Sequence, residues 1–282
     1  MIGKNMETTD QYSDLAPDED LVEAAKQGSQ RALEVLLRRY QGPLYRFLAS
    51  MLWSPSSAED ATQEVLIKII TKLDNVKSET RFKAWAFSIA RNHAVSMYRK
   101  RRTFRDYMAE IEASPDAELP GANGSVHPAA MVEEAKRACI RGALLCFTTD
   151  QRAVFVLGAV LEFTGEEGAE VLDITPASFR QRLKRARAEL QRFLGGQCGL
   201  VNPANPCRCP KKTRAFISAG VISDTSLTFN PNHVEMADST AGDYPLEDDK
   251  WLELFAGPVQ AEMPDVFARI RSALPKRQID HK

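Results

Sequence analysis

Thr164-Gly-Glu-Glu-Gly-Ala-Glu-Val-Leu-Asp-Ile-Thr-Pro-Ala-Ser-Phe-Arg-Gln-Arg-Leu-Lys-Arg-Ala-Arg187 decides how this chain is read. Thr164 and Glu167 stand three residues apart, the spacing at which each side chain satisfies the other's backbone N–H, so a short helix starts at Gly165. It runs through Ala169 and Val171 to Leu172, and Asp173 and Ile174 make the turn. Thr175 caps a second helix with Pro176 at its first position, where a missing N–H costs nothing. That helix turns Phe179, Leu183, Ala186 and Leu190 inward and a basic cluster outward. A helix whose first turns are polar and basic can enter the major groove of DNA. Ser178, Arg180, Gln181 and Arg182 fall where base edges are met. Lys184, Arg185 and Arg187 lie further along, nearer phosphates, which give affinity rather than specificity. A basic run alone is more often the solvated face of an amphipathic helix. The capped short helix, tight turn and Thr-Pro start ahead of it favour a helix-turn-helix.

Upstream, the stretch from Asp18 to Arg102 is also helical in pattern. Leu33, Leu36, Leu37 and Tyr40 recur at helix spacing, as do Leu44, Phe47, Leu48 and Met51, with Pro43 expected to break or bend the chain between them. Ser57 followed by Asp60 reads as the start of a helix that buries Val65, Leu66, Ile69, Ile70 and Leu73. Its opposite face carries Asp60, Gln63, Glu64 and Ile67, a protein-binding patch or a solvated acidic face with one stray isoleucine. After a polar loop from Asp74 to Thr80, a further helix turns Phe82, Trp85, Ala86, Ile89 and Ala90 inward. It then becomes polar and basic: Arg91, Asn92, Arg99, Lys100 and Arg102. Aromatic and cationic residues together suit unpaired bases, although the rings of Phe82 and Trp85 read first as core.

The 282 residues suit about two domains with an appendage. A formal net charge of −1 hides segregation, since basic runs at Arg99 to Arg102 and Arg180 to Arg187 are offset by acid at Asp14 to Glu23, Glu110 to Glu118 and Glu247 to Asp249. Two basic clusters on a near-neutral chain suggest two nucleic-acid contacts. No stretch reaches the roughly 18 apolar residues of a membrane span, and the polar N-terminus lacks a signal-peptide core, so the expectation is a cytoplasmic protein. There is no Ser/His/Asp set, phosphate loop or catalytic carboxylate pair, which argues against an enzyme. His93 is a lone helical histidine and reads as structural. The divisions expected are a disordered N-terminus (1–17), a first helical unit (18–102), a Pro/Gly-rich acidic linker (103–130), a second helical unit (131–195) and a C-terminal extension (196–282).

Four ordered pieces resemble one family. Asp18-Glu-Asp-Leu-Val through Arg38-Arg39-Tyr40 resembles the start of region two of extracytoplasmic-function sigma factors, of the sigma-70 family. Ala58-Glu-Asp-Ala-Thr-Gln-Glu-Val-Leu-Ile-Lys-Ile resembles their core-polymerase-binding helix, and Phe82-Lys-Ala-Trp-Ala-Phe-Ser-Ile-Ala-Arg-Asn-His-Ala their promoter-melting helix. Thr149-Asp-Gln-Arg through Arg187 resembles region four. The resemblance implies a mainly α fold of two helical units on a flexible linker, with no catalytic residues and no required cofactor. It implies that Asp60, Gln63, Glu64 and Ile67 bind the coiled-coil of the largest subunit of RNA polymerase core. Asn75, Lys77, Arg91, Asn92, Arg99, Lys100 and Arg102 would meet the minus-ten element, one base of which flips into a pocket made by the loop from Asp74 to Thr80. Ser178, Arg180, Gln181, Arg182, Lys184 and Arg185 would meet the minus-thirty-five element as duplex. The resemblance leaves room for an anti-sigma partner. The rival is a helix-turn-helix regulator that acts without core polymerase; it leaves the helix at Ala58 to Ile69 without a role. Ser96, Gly168 and Thr148-Thr149 depart from the family pattern, and Gly168 costs about 1 kcal/mol of helix propensity relative to Ala.

The extension reads as mixed, with a β-leaning run from Ala215 to Ile222 and a late helix around Trp251 to Leu274. Cys198, Cys207 and Cys209 sit among prolines and cations. They can be zinc ligands completed by a residue such as His233, redox-active thiols, or a loop with neither role. Cys139 and Cys146 lie on an apolar helical face and read as core. Trp251, Leu252, Leu254 and Phe255 suit docking against the chain's own basic helices, or a private core of the extension.

Overall fold

A computed structural model describes residues 15–76, 78, 81–98, 126–229 and 250–256. Among them every regular element is helical. In the first unit, α1 (Asp18–Lys26) and α2 (Gln30–Leu52) pack side by side, and α3 (Pro55–Thr71) and α4 (Phe82–Tyr98) close the bundle. Ser29 caps α2 through its side chain. The helix runs straight through Pro43 rather than breaking there. Gly42 and Pro43 are both exposed, so the missing amide falls on the solvent side of the helix, while the stripes on either side of it are buried. The start of α3 also differs from expectation. Ser54, not Ser57, is the N-cap; its hydroxyl accepts from the Ser57 amide, and Pro55 takes the first turn.

The second unit begins at Pro128 with α5 (Pro128–Ala143), three residues inside the expected linker, capped by the His127 ring. A 3-10 turn, Leu144–Cys146, leads to α6 (Thr149–Phe155), which opens on a capping box from Thr148 and Gln151 and continues as a π-helical stretch, Val156–Val160. Then come α7 (Gly165–Leu172) and α8 (Pro176–Gln197). Core residues of both units form one continuous apolar cluster running from Leu21 to Phe255.

The expected β-leaning run is helical instead. Helix α9 (Cys209–Ser218) starts with Pro210 in its first turn and buries Thr213, Ala215 and Phe216. Gly220, at φ +69°, ends it, with the Val221 amide donating back to the Phe216 carbonyl. A leading proline and a trailing left-handed glycine outweigh the β preference of Phe216, Ile217 and Val221. A 3-10 turn (Lys250–Leu252) and α10 (Glu253–Ala256) complete the described residues. The remainder of the expected late helix, and the N-terminus before Leu15, lie outside the described residues.

Candidate nucleic-acid and polymerase interfaces

The helix-turn-helix forms as its sequence dictates. The Thr164 and Glu167 capping box is made in both directions, Asp173 adopts the left-handed conformation that turns the chain, and Thr175 caps α8 by accepting from the Ser178 amide. Phe179, Ala186 and Leu190 are buried, and Leu183 is half-buried. Gly168, a propensity defect on sequence grounds, is a packing requirement. A Cβ there would overlap the ring of Phe179, and one at Gly158 would press on Leu183. The glycines let α6 and α7 approach α8 closely enough to fix the recognition helix. Arg180, Gln181, Arg182, Lys184 and Arg185 are exposed, with Ser178 half-buried beside them. Arg180 lies 3.2 Å from Glu166, so one base-reading candidate is held by the preceding helix.

On α3, Asp60, Glu64 and Ile67 are exposed and Gln63 is half-buried, all on the face away from the bundle. Ile67 is 38 % exposed, and Leu15 is the other large apolar side chain left exposed among the described residues. His93 lies behind this face, buried. Its Nδ1 is 2.7 Å from Lys68 Nζ and its Nε2 is 3.7 Å from Glu64. Burial, then the Lys68 charge, holds its pKa below the usual histidine value, against the pull of Glu64. Its burial and these contacts suit a structural residue. Asn75 is exposed at the end of a 3-10 turn, Leu73–Asn75, next to Val76, whose carbonyl accepts from Lys26 at 2.8 Å. Asn92 is exposed on α4. Lys77, Arg99, Lys100 and Arg102 lie outside the described residues.

Folding brings the two units into contact, which the sequence reading did not anticipate. Helix α4 packs on α7. Arg81 lies 3.3 Å from Glu170, Lys83 2.7 Å from Glu167, and Arg91 2.8 Å from Asp150. Lys83 also sits 4.2 Å over the Phe163 ring, which meets Phe87 edge-on at 4.8 Å. Thus three cations of the first unit, Arg91 among them, are occupied by carboxylates of the second. Deeper in, Arg152 is 0 % exposed and donates to the carbonyls of Met51 (2.6 Å), Leu144 (2.9 Å) and Phe147 (3.2 Å).

The extension is built into this body. Trp251 is 0 % exposed and stacks on Phe155 at 6.3 Å, and Phe255 meets Phe155 edge-on at 5.5 Å. It docks on the apolar core rather than on the basic helices. The segment before residue 230 also reaches both units: Glu134 accepts from the amides of Thr228 and Phe229, while Trp53, at the end of α2, packs on Phe229 and donates to the Ala138 carbonyl. Cys146 is exposed, contrary to its expected core position, because the 3-10 turn after α5 rotates it off the apolar face. Cys139 is half-buried and shares a cavity with Cys198, Cys207 and Cys209. Burial pushes the Cys139 and Cys198 thiols up and the Cys209 thiol to about 12. Thiols so shifted are poor nucleophiles at neutral pH, which weighs against the redox reading. His233 lies outside the described residues. Among the described residues no helix is long and apolar enough to cross a membrane.

Comparison with known proteins gives this geometry its setting. Residues 36–104 match the family model of Sigma-70 region 2, and residues 137–190 that of Sigma-70 region 4. The RNA polymerase sigma factor CnrH of Cupriavidus metallidurans is 31 % identical over 183 residues, which span 63 % of this chain and 94 % of the relative. The ECF RNA polymerase sigma factor SigW of Bacillus subtilis is 26 % identical over 178 residues, 61 % of this chain and 94 % of the relative. The solved structure of CnrH in complex with the cytosolic domain of CnrY aligns with a TM-score of 0.48 at 26 % identity, covering 63 % of this chain and 96 % of that one. Both family models belong to initiation factors rather than enzymes, and they favour work with RNA polymerase over a regulator acting without it. The chain therefore belongs to the extracytoplasmic-function group of the sigma-70 family, the subunits that direct RNA polymerase to promoters.

Proposed function

We propose that this sigma factor takes up polymerase core through Asp60, Gln63, Glu64 and Ile67 on α3, and reads the minus-thirty-five duplex through Ser178, Arg180, Gln181, Arg182, Lys184 and Arg185 on α8. Asn75, Lys77, Arg91, Asn92, Arg99, Lys100 and Arg102 serve the minus-ten element in this reading, in the cytoplasm. The observation that carries it is the exposure of Ile67 at 38 % on a face of carboxylates and an amide, in a bundle that buries its other apolar stripes. A single exposed isoleucine is ordinary on a solvated helix, and its weight here comes from α3 lying within the residues that match Sigma-70 region 2. An anti-sigma protein is a competitor for these same surfaces in this reading.

The test combines Gln63→Ala with Glu64→Lys and measures binding of the full chain to core polymerase. Weakened binding with native helicity is expected; unchanged affinity would remove α3 as the core-binding element. In parallel, Arg182→Ala relaxes base preference at one minus-thirty-five position by about 1–3 kcal/mol, while Lys184→Ala weakens all sequences alike and flattens the salt dependence. Identical behaviour of the two variants across a promoter library would overturn the division of base and phosphate contacts.

A further inference from the structure

Four of the five cysteines line one cavity of about 410 Å³ between the sigma unit and the extension. Cys139 comes from α5, Cys198 from the C-cap of α8, Cys207 from the loop that follows, and Cys209 from the first position of α9. Sequence spacing offers three thiols and looks to His233 for a fourth ligand; folding supplies the fourth from a helix about sixty residues upstream of Cys198. We propose that Cys139, Cys198, Cys207 and Cys209 form a tetrathiolate site for a thiophilic divalent cation of the zinc type, which ties the extension to the recognition helix.

Three features of the surroundings suit a charged sulfur cluster. The backbone amides of Leu200 and Val201 donate to Cys198 Sγ, hydrogen bonds that a metal-bound sulfur can accept. Cys209 stands at the N-terminus of a ten-residue helix, where the dipole favours negative charge. Lys136 and Lys212 line the cavity and Arg208 adjoins it, Lys136 being paired with Glu133. Four thiolates on a divalent cation leave a double negative charge, and cations at the wall offset it.

The loop that presents the thiols is held in place. Asn205 donates to the carbonyls of Gly195 and Cys198, and Asn202 to that of Gly195. Arg208 donates to the carbonyls of Pro203, Asn205 and Cys207. Gly199 passes so close to the Cys207 backbone that a Cβ would overlap its carbonyl oxygen, so the two cysteine-bearing segments are pressed together. Among the described residues no three His, Cys, Asp or Glu side chains yet form a set that could hold a metal ion. The proposed site therefore requires the four sulfurs, which already share one cavity wall, to draw together on metal uptake. Binding and the placement of the extension become one equilibrium.

The experiment uses the full chain, purified under reducing conditions without chelator. Bound zinc is measured by atomic emission, and the metal-free chain is titrated with Co2+. About one zinc per chain and a tetrahedral cobalt spectrum with strong sulfur-to-metal charge transfer are expected. Cys139→Ser and Cys198→Ser should each cut metal retention by tenfold or more, roughly the scale of lost metal-site partners. Cys146→Ser and His233→Ala should retain it. Cys139→Ala, with helicity measured alongside, separates loss of a ligand from loss of the fold. A wild-type chain that takes up neither metal, a Cys139 variant that binds as well as wild type, or a six-coordinate cobalt spectrum would each overturn the proposal. So would a chain isolated with disulfides among these cysteines and no metal.

Discussion

Replacing Arg152 by Met should be the most damaging single substitution that leaves every proposed interface untouched. Arg152 is wholly buried and donates to the carbonyls of Met51, Leu144 and Phe147. These acceptors are not chosen at random. Met51 lies in the last turn of α2, and Leu144 and Phe147 bracket the 3-10 turn that ends α5. The last carbonyls of a helix have no partner within it and carry the negative end of its dipole. One guanidinium thus closes two helix ends, one from each sigma unit. Methionine keeps the length of the side chain but supplies no donor, so three buried carbonyls lose this partner. A buried polar group left without its partner costs about 1–3 kcal/mol, and breaking a buried charged network about 3–5 kcal/mol. Some packing is recovered by the thioether, so a loss of about 3–5 kcal/mol is expected for the whole set. Lysine, with a point charge in place of a fork, should recover only part of it. Urea unfolding followed by far-UV circular dichroism gives the loss. Amide exchange at Trp53 and Phe147 should rise together, because the same side chain holds both ends. A variant within about 1 kcal/mol of wild type, or exchange that rises in one unit alone, would refute the argument.

Gly168→Ala should destabilise the chain by about 1–3 kcal/mol by overpacking, despite a propensity gain of about 1 kcal/mol, because the new methyl meets the buried Phe179 ring; thermal unfolding decides the sign. Lys83→Glu combined with Arg91→Glu should weaken the packing of the two units without parting them, because exposed pairs contribute about 0–1 kcal/mol each and the buried contacts remain; distance measurements between fluorophores on α3 and α8 test this, and units that part in the variant, or in the wild type on adding salt, would mean that the surface pairs carry the contact. His93 gives a pH signature. Its folded pKa lies below the ordinary value of about 6.5, so the unfolded chain binds the proton more readily. The stability this residue confers is present above that pH and lost as pH falls below it, and His93→Gln should flatten melting temperature against pH in that range.

What could be read from the sequence was local. The capping box at Thr164 and Glu167, the Thr175-Pro176 start and the apolar stripe of α8 lie within one or two turns of each other, and each formed as read. The errors came where a local preference met a longer-range demand. Pro43 is a breaker in isolation, yet stripes on both sides of it pack into one bundle and the helix continues. Ala215 to Ile222 has β-preferring side chains, but Pro210 in the first turn and Gly220 after the last set a helix that takes in the start of that run. Gly168 looked like a weakness because propensity scales do not include Phe179, which touches it from another helix. Arg152, the α4–α7 contact and the approach of Cys139 to Cys209 join residues dozens of positions apart, and no periodicity carries that information. The docking of Trp251 on Phe155 belongs to the same class. It also means that a chain cut after Leu194 would bare Phe155, so truncation removes part of the core together with the extension.

The packing of α4 on α7 bears directly on how such a chain initiates transcription. The elements at minus ten and minus thirty-five are, by their positions, about 25 base pairs apart, or roughly 85 Å at 3.4 Å per base pair. Here the helix assigned to the first element lies within an ion-pair distance, 2.7 Å between Lys83 and Glu167, of the helix-turn-helix assigned to the second. Under the proposed assignment the two sites are too close to be engaged together in this arrangement, so promoter binding would require the units to part. The surface pairs cannot be what resists parting, since exposed ion pairs contribute about 0–1 kcal/mol each and weaken further in salt. The buried contacts resist it: Arg152 on the Met51 carbonyl, Phe163 on Phe87, and the Trp53 and Phe229 contact through which the extension reaches the first unit. A ligand shifts such an equilibrium only by the difference in its affinity for the two forms. The face formed by Asp60, Glu64 and Ile67 is exposed already in the packed form, so binding there does not by itself favour opening. Contacts that exist only when the units are apart must supply the difference, and Arg91, freed from Asp150 to meet DNA, is one residue able to do so.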